Sequence, residues 1–203
     1  MTLIAPQLRK PEGALGLEVA KRMIEFNAEA NGCTMKLLDL QPEDSVLEIG
    51  FGPGEALAEA AQLTRKGYVA GIDHSDAMLT MASERNKRAI IEDRIELTLG
   101  SADALPYRDE MFDKVYCVNV AHFWATPLIE LREILRVLKP GGRFVFFLPY
   151  PSNWLKGIRE TGVFHARTIE EYERFIIDAG FSTVTHVIPA MTGEPGFCVI
   201  GTR

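Results

Sequence analysis

A glycine-rich turn between a short apolar segment and a helix is the part of this sequence best suited to bind a ligand. Gly50, Gly52 and Gly54 alternate at the end of Val46–Gly54 (VLEIGFGPG). Glycines at such a turn let the backbone approach a ligand closely and adopt dihedral angles that are costly for other residues. In doubly wound sheets, ligands bind beyond the carboxyl ends of the strands, so this turn predicts a binding loop.

Acidic residues around the turn favour one class of ligand over another. A dinucleotide-binding turn has a third glycine, in the pattern GxGxxG, at the position that Glu55 takes here. A carboxylate at that position would repel a pyrophosphate, and Glu48 in the preceding segment also departs from the dinucleotide pattern. An NAD-type oxidoreductase is therefore disfavoured, and a ligand without phosphates is favoured.

Two later acidic residues and a methionine predict contacts to an adenosine group. Asp73 ends the second apolar segment, where a carboxylate can accept hydrogen bonds from both ribose hydroxyls. Asp103, which follows the third segment, can accept a bond from an adenine amino group, and Met78 can lie against the adenine face. The alternative roles are a helix cap for Asp73, a plain loop turn for Asp103 and core packing for Met78.

Short apolar segments alternate with amphipathic helices along the chain, which is the pattern of a parallel α/β sheet. The predicted strands are Ser45–Ile49, Tyr68–Ile72, Ile95–Leu99, Asp113–Asn119, Arg143–Leu148, Ser182–Ile188 and Gly196–Gly201, the last two able to pair as a hairpin. The predicted helices are Glu55–Thr64, Asp76–Lys87, Pro127–Leu138 and a segment from Thr168 to about Ala179.

Local signals set the predicted ends of these elements. Residues 14–40 are predicted as two helices separated by Gly32, and Pro140–Gly142 as a turn that leads into the fifth strand. The predicted helix caps are Ser75, Thr126 and a capping box formed by Thr168 and Glu171.

Composition restricts the class of protein. The 203 residues suit one domain, with 1–40 as helices that cover the site and 149–167 as a short insert on the acceptor side. A net charge of −6 without a basic run argues against a nucleic-acid partner. The N-terminal segment lacks the apolar run of a signal peptide, and no segment has the length of a membrane span.

Three separated cysteines indicate neither a zinc site nor a disulfide framework, so no metal is expected. We expect them to be buried thiols, which fits a cytoplasmic protein. They are Cys33, Cys117 and Cys198.

Five motifs in a fixed order give the sequence a family resemblance. They are Val46–Gly54 (VLEIGFGPG), Gly71–Met78 (GIDHSDAM), Ser101–Pro106 (SADALP), Phe112–Asn119 (FDKVYCVN) and Ile134–Phe146 (ILRVLKPGGRFVF). From about residue 30 to the C-terminus, the chain resembles the class I S-adenosylmethionine (SAM)-dependent methyltransferases, in particular the type 11 group that includes ubiquinone- and menaquinone-biosynthesis C-methyltransferases. These motifs are specific for the fold and the cofactor, but not for the methyl acceptor.

The resemblance implies a three-layer, Rossmann-like α/β fold with strand order 3-2-1-4-5-7-6 and strand 7 antiparallel. It implies SAM as cofactor, S-adenosylhomocysteine (SAH) as product, and Asn27 or Asn31 near the SAM carboxylate. The glycine loop and the end of the fourth strand would border the methionine part, with Asp73 at the ribose. The implied cofactor-binding residues are Gly50, Phe51, Gly52, Gly54, Asp73, His74, Met78, Ala102, Asp103, Asn119 and Val120.

Methyl transfer is a displacement at an activated carbon, so the protein mainly positions the acceptor and excludes water. His122 is the first candidate for a general base and His165 the second, because imidazole titrates near neutral pH. The alternative is that His122 packs and that His165 faces solvent. Aromatic candidates for contact with a cationic centre are Phe51, Phe123, Trp124, Tyr150 and Trp154.

The leading hypothesis is therefore a methyltransferase that acts on a small molecule. The alternative is a SAM- or SAH-binding protein without transfer activity. We expect acceptor specificity to lie in residues 10–30, 120–125 and 149–167. We expect neither a nucleic-acid partner nor stable membrane insertion. We expect the protein to be a monomer or a homodimer.

Overall fold

A single seven-stranded sheet forms the centre of the fold. The computed structural model describes residues 4–153, 158 and 160–203. The strands are β1 (Ser45–Ile49), β2 (Tyr68–Asp73), β3 (Ile95–Leu99), β4 (Phe112–Val118), β5 (Leu138–Pro149), β6 (Thr183–Val187) and β7 (Gly196–Thr202). Their order is β3-β2-β1-β4-β5-β7-β6. β7 runs antiparallel to β5 and β6, and the other neighbours are parallel, which confirms the predicted topology.

Helices cover both faces of this sheet. They are α1 (Ile4–Arg9), α2 (Gly13–Leu38), α3 (Glu55–Leu63), α4 (Asp76–Arg85), α5 (Lys87–Ile91), α6 (Pro127–Val137) and α7 (Ile169–Ala179). Short 3-10 turns occupy Ala121–Phe123 and Pro151–Asn153. The predicted caps at Ser75 and at Thr168 with Glu171 are confirmed, whereas Thr126 caps α6 without a side-chain hydrogen bond.

The N-terminal region differs from its prediction. A break at Gly32 is wrong, because α2 continues from Gly13 to Leu38 as one helix. A glycine inside a helix costs about 1 kcal/mol relative to alanine, and packing offsets that cost here. Ala30, Met35 and Leu38 are buried in the core on both sides of Gly32. The short helix α1 was not predicted.

The predicted turn at Pro140–Gly142 is also wrong as a boundary, because β5 already begins at Leu138. Phe112 pairs with Leu138, but Lys114, only two residues on, pairs with Arg143. The extra residues of β5 form a bulge, and Gly141 accommodates it with φ +76°.

The core lies in two layers. One cluster packs α6 and α7 on the sheet, and the other packs α2, α3 and α4 on the opposite face. The thiols of Cys117 and Cys198 are buried, and their burial raises both pKa values, that of Cys198 to about 12. Cys33 is only partly buried, so the prediction that all three are buried is wrong for this residue. Within the described ranges, no helix combines the length and apolarity needed to cross a membrane.

Candidate functional site

The loop after β1 has a conformation that depends on glycine. Gly50, Gly52 and Gly54 have φ values of +71°, +50° and +87°. The Gly50 N–H donates to the carbonyl of Ile72 at 2.7 Å, which ties the loop to the end of β2. A Cβ at Gly50 would collide with the Val120 side chain, whereas one at Gly52 would meet no atom within 4 Å. The backbone at Gly52 therefore faces open space.

Asp73 connects this loop to the start of α4. The residue is 7% exposed; one side-chain oxygen accepts the Gly52 N–H at 2.9 Å and the other accepts the Ser75 N–H at 2.9 Å. Burial raises the pKa of Asp73 above its ordinary value, although these N–H groups and His74 act in the opposite direction. A carboxylate can accept about four hydrogen bonds, so Asp73 keeps acceptor capacity for a ligand.

A large cavity of about 1150 Å³ opens at the carboxyl ends of the central strands. This volume exceeds the usual range of small-molecule pockets, roughly 300–1,000 Å³, so there is room for two ligands side by side. Gly54 alone among the predicted cofactor residues does not line the cavity, because it caps α3 behind the loop. The predicted residues that line it are Gly50, Phe51, Gly52, Asp73, His74, Met78, Ala102, Asp103, Asn119 and Val120.

The two asparagines predicted near the SAM carboxylate also line the cavity. Asn27 accepts a hydrogen bond at 2.8 Å from the side chain of Asn119, a residue at the end of β4 with φ +59°. Asn31 lies one helical turn further along α2. The long helix α2 therefore closes the cavity beside β4.

Comparisons with known proteins identify the family. A family model described as a methyltransferase domain matches residues 47–146. A demethylmenaquinone methyltransferase of Symbiobacterium thermophilum is 40% identical over 106 residues, 52% of this chain and 42% of the relative. A 27-O-demethylrifamycin SV methyltransferase of Amycolatopsis mediterranei is 30% identical over 153 residues, 71% of this chain and 56% of the relative. The chain belongs to the class I SAM-dependent methyltransferases.

The fold agrees with this family. A crystal structure of a SAM-dependent methyltransferase from Aquifex aeolicus superposes with a TM-score of 0.73 at 20% identity, and the match covers 100% of this chain and 98% of the other. At that identity the similarity concerns the fold alone. The chain spans about half the length of the two curated relatives.

SAM is the cofactor of this family, and the charges of the cavity suit it. Carboxylates outnumber arginines in the described part of the wall, which favours a cationic ligand over an anionic one. The carboxylates are those of Glu18, Glu48, Glu55, Asp73, Asp103, Glu130 and Glu194, and the arginines are Arg9 and Arg22. Among the residues whose positions are described, no group of three or more His, Cys, Asp or Glu is arranged to hold a metal ion.

Two of these carboxylates lie next to the glycine loop in different electrostatic states. Glu48 is buried and accepts a hydrogen bond from the Tyr116 hydroxyl at 2.9 Å, and burial raises its pKa well above the ordinary value. Glu55 forms an ion pair with Arg85, so its charge is partly compensated. The predicted repulsion of a pyrophosphate by Glu55 is therefore weaker than the sequence suggests. The argument against a pyrophosphate depends instead on the other carboxylates of the wall, which still outnumber its arginines.

Met78 and Phe51 belong both to the cavity wall and to the core. Met78 is 1% exposed and Phe51 is 3% exposed, and both pack with Leu57 in the cluster under α3 and α4. The packing role of Met78 is thus present in the structure. Its contact with adenine remains a prediction.

His122 lies in the cavity wall inside an aromatic cluster. Its ring stacks on Phe164 with centroids 4.7 Å apart, and it meets Phe123 edge-on at 4.2 Å. The residue is 3% exposed, and this burial lowers the pKa of the imidazole to about 3. A histidine with so low a pKa is a weak proton acceptor at neutral pH, so this environment favours packing over the general-base role.

Of the other residues predicted on the acceptor side, some line the cavity and others do not. Trp124 lines the cavity beside His122. His165 and Tyr150 are not among its lining residues. The backbone N–H of His165 donates to the backbone carbonyl of His122 at 2.8 Å, and the Tyr150 ring packs against Phe197. Trp154 lies outside the described residues.

Besides Glu18 of α2, two carboxylates of the wall were not predicted. Glu130 is half-buried in α6, and its pKa is raised by burial and by the nearby Asp103. Glu194 lies in the loop between β6 and β7, and burial raises its pKa as well. The sequence gives no signal for either residue, because one occupies the polar face of an amphipathic helix and the other an ordinary loop.

Proposed function

We propose that this protein transfers the methyl group of SAM to a small-molecule acceptor. The observation that supports this most directly is a cavity that combines two kinds of wall. One wall, which we call the cofactor wall, contains Asp73 and the open glycine loop, which suit an adenosyl ligand. The other, which we call the acceptor wall, is apolar and contains Phe123, Trp124 and Ile129.

Residues of the cofactor wall would bind each part of SAM. Asp73 would bind the ribose, Met78 and Asp103 would border the adenine, and the backbone near Gly52 and Asn119 would border the methionine part. When bound, SAM supplies an activated methyl group on a sulfonium centre. Positioning an acceptor beside it can contribute about 7–11 kcal/mol to the barrier reduction, so a binding surface of this kind is the main requirement.

The acceptor wall supports a small, largely apolar acceptor. Leu15, Phe26 and Ile129 line the cavity although 46%, 58% and 52% of their surfaces are exposed. Exposed apolar side chains around a cavity are typical of ligand sites. The two curated relatives act, by their names, on a menaquinone precursor and on a rifamycin, which are both small molecules.

The same wall argues for transfer over cofactor binding alone. A protein that only senses SAM or SAH needs no space beside the sulfonium centre. The cavity extends past His122 and Trp124, and its volume of about 1150 Å³ exceeds what one ligand usually requires. The low pKa of His122 further favours an acceptor whose methylation does not depend on this imidazole as a base.

Calorimetry followed by a transfer assay tests this function. We expect SAH to bind and NAD to show no binding; binding of NAD without SAH would overturn the proposal at the cofactor level. SAM with a radiolabelled methyl group is then incubated with a panel of small metabolites, with protein and RNA as separate arms. Labelled small molecules are the expected result. SAH binding with no labelled product in any arm would favour the sensor hypothesis.

A further inference from the structure

The loop of residues 188–195 between β6 and β7 is fastened to α2 by one carboxylate. Glu29 accepts the backbone N–H of Thr192 at 2.7 Å with one oxygen and that of Gly193 at 2.8 Å with the other. These backbone bonds lower the pKa of Glu29, so it holds the loop as an anion. Glu29 and this turn lie more than 160 positions apart in sequence, so the contact fixes the position of an otherwise distant loop.

The next residue, Glu194, lines the cavity directly beside this contact. It is half-buried, and within the part of the chain that the structure describes its carboxylate has no hydrogen bond and no ion pair. Burying an unpaired carboxylate costs free energy. The wall therefore keeps a group that a ligand of opposite charge would stabilise.

Glu194 stands where the main cavity meets a second recess of about 180 Å³. Phe26, Asn119, Pro149 and Glu194 line both spaces. The Oδ1 atom of Asn119 is buried and, among the described residues, has no hydrogen-bond donor. No Lys, Arg or His is found among the described residues that line the recess. Two oxygen acceptors without donors therefore lie at one junction, next to the methionine end of the predicted cofactor site.

We propose that Glu194 binds a positively charged amino group of a ligand in the cavity, and that Glu29 is the positioning residue for it. The proposal rests on the proposed function, since it adds a subsite to the same cavity. A carboxylate accepts but cannot donate, and its bonds to ammonium groups are about twice as strong as neutral ones. The amino group can belong to the methionine part of the cofactor or to the acceptor.

A carboxylate-to-amide substitution tests the subsite and distinguishes the two sources. In the first arm, Glu194→Gln and the wild type are titrated with SAH and with 5′-methylthioadenosine, which lacks the amino-acid part. If the source is the cofactor, the variant binds SAH about tenfold more weakly, the scale of a bond to a charged group, and binds 5′-methylthioadenosine unchanged.

In the second arm, the SAH-saturated proteins are titrated with 2-phenylethylamine and with 2-phenylethanol, which differ in the charged group. If the source is the acceptor, the wild type prefers the amine, and Glu194→Gln loses that preference. A variant that matches the wild type for all four ligands overturns the proposal. A wild type that binds neither SAH nor 5′-methylthioadenosine would instead contradict the proposed function, so the two failures are distinct.

Two further variants test whether the effect comes from the contact of Glu194 with the ligand rather than from the loss of one negative charge, and whether Glu29 acts through Glu194. Glu84→Gln removes one carboxylate from an exposed position on α4 and should leave all four affinities unchanged. Glu29→Ala should reproduce the loss seen in Glu194→Gln, and the double variant should lose no more than Glu194→Gln alone. Additive losses would show that Glu29 does not act through Glu194.

Discussion

The cofactor wall and the acceptor wall of the cavity are built in different ways. The proposed cofactor wall depends on backbone conformation: Gly50 and Gly52 line it with positive φ, and the buried side chain of Asp73 fixes the loop by accepting two backbone N–H groups. The acceptor wall is made of side chains, from the His122 cluster to the exposed apolar residues of α2. A backbone wall tolerates few changes, whereas a wall of side chains can change its ligand without changing its fold.

This difference explains why the family and the cofactor are evident from the sequence and the acceptor is not. The residues of the cofactor wall are close in sequence and restricted in type. The acceptor wall collects side chains from α1, α2, the segment after β4 and the loop after β6. Substitutions in the two walls should therefore have effects of different size.

The largest effect is expected at Gly50. Replacing it with alanine places a Cβ against Val120 and forces a φ of +71° on a residue that disfavours it by about 1–2 kcal/mol. Because the strain and the collision both displace the loop, we expect SAH affinity to fall by about a hundredfold or more, roughly 2.7 kcal/mol. Isothermal titration calorimetry measures this loss.

Gly162, which precedes α7 and does not line the cavity, provides the matched control. Its φ is +69°, and a Cβ there would meet no atom within 4 Å, so Gly162→Ala carries the same backbone strain without a collision. We expect SAH affinity close to that of the wild type. Equal losses in both variants would mean that the position of Gly50 in the cavity wall does not account for its effect.

A smaller effect is expected at Asp73. Asp73→Asn replaces one of its two acceptor oxygens with an amide NH2 group, which donates and cannot accept the N–H of Gly52 or Ser75. Losing a charged hydrogen bond costs about 1.5–3 kcal/mol, so SAH affinity should fall by roughly ten- to a hundredfold. Calorimetry on the variant, with circular dichroism to confirm folding, measures it. Unchanged affinity in a folded variant would remove Asp73 from the ribose site.

Much of the fold could be predicted because its determinants are local. Buried strands such as Ser45–Ile49 are short apolar runs, and the capping box at Thr168 signals the start of α7. The errors arose where tertiary contacts override a local preference. Gly32 does not break α2 because residues on both sides of it, Ala30 and Met35, are buried in the core. Pro140–Gly142 joins β5 because a bulge accommodates it.

In the site, too, features set by local sequence could be predicted and those set by tertiary contacts could not. The glycine loop follows β1 and Asp73 ends β2, the next strand along the chain, so the pattern of one β-α-β unit predicts both. The contact between Glu29 and Gly193 joins residues that no spacing relates, and Glu194 lies directly beside it. Burial is equally invisible in sequence: His122 was a reasonable candidate base by position, but its surroundings lower its pKa.

At neutral pH the smallest effect of the three concerns His122, because its contribution changes stability only in acid. In the unfolded chain its imidazole binds a proton near pH 6.5, but in the folded protein only near pH 3. The folded state thus binds fewer protons in this range, so stability is lost as pH falls below about 6.5, by up to about 1.4 kcal/mol per pH unit. Near pH 5 the loss should be about 2 kcal/mol.

His122→Gln removes this titration, so the variant should lose less stability than the wild type between about pH 7.5 and about pH 5. Urea unfolding at the two pH values measures the difference, and comparing the two proteins cancels the contributions of other groups that titrate in both. His165→Gln is the control, because this imidazole is only partly buried and should account for a smaller share. Parallel losses in wild type and His122→Gln would show that His122 can be protonated within the folded wall. In that case the acceptor wall would be open to water at this point, and His122 would return as a candidate base.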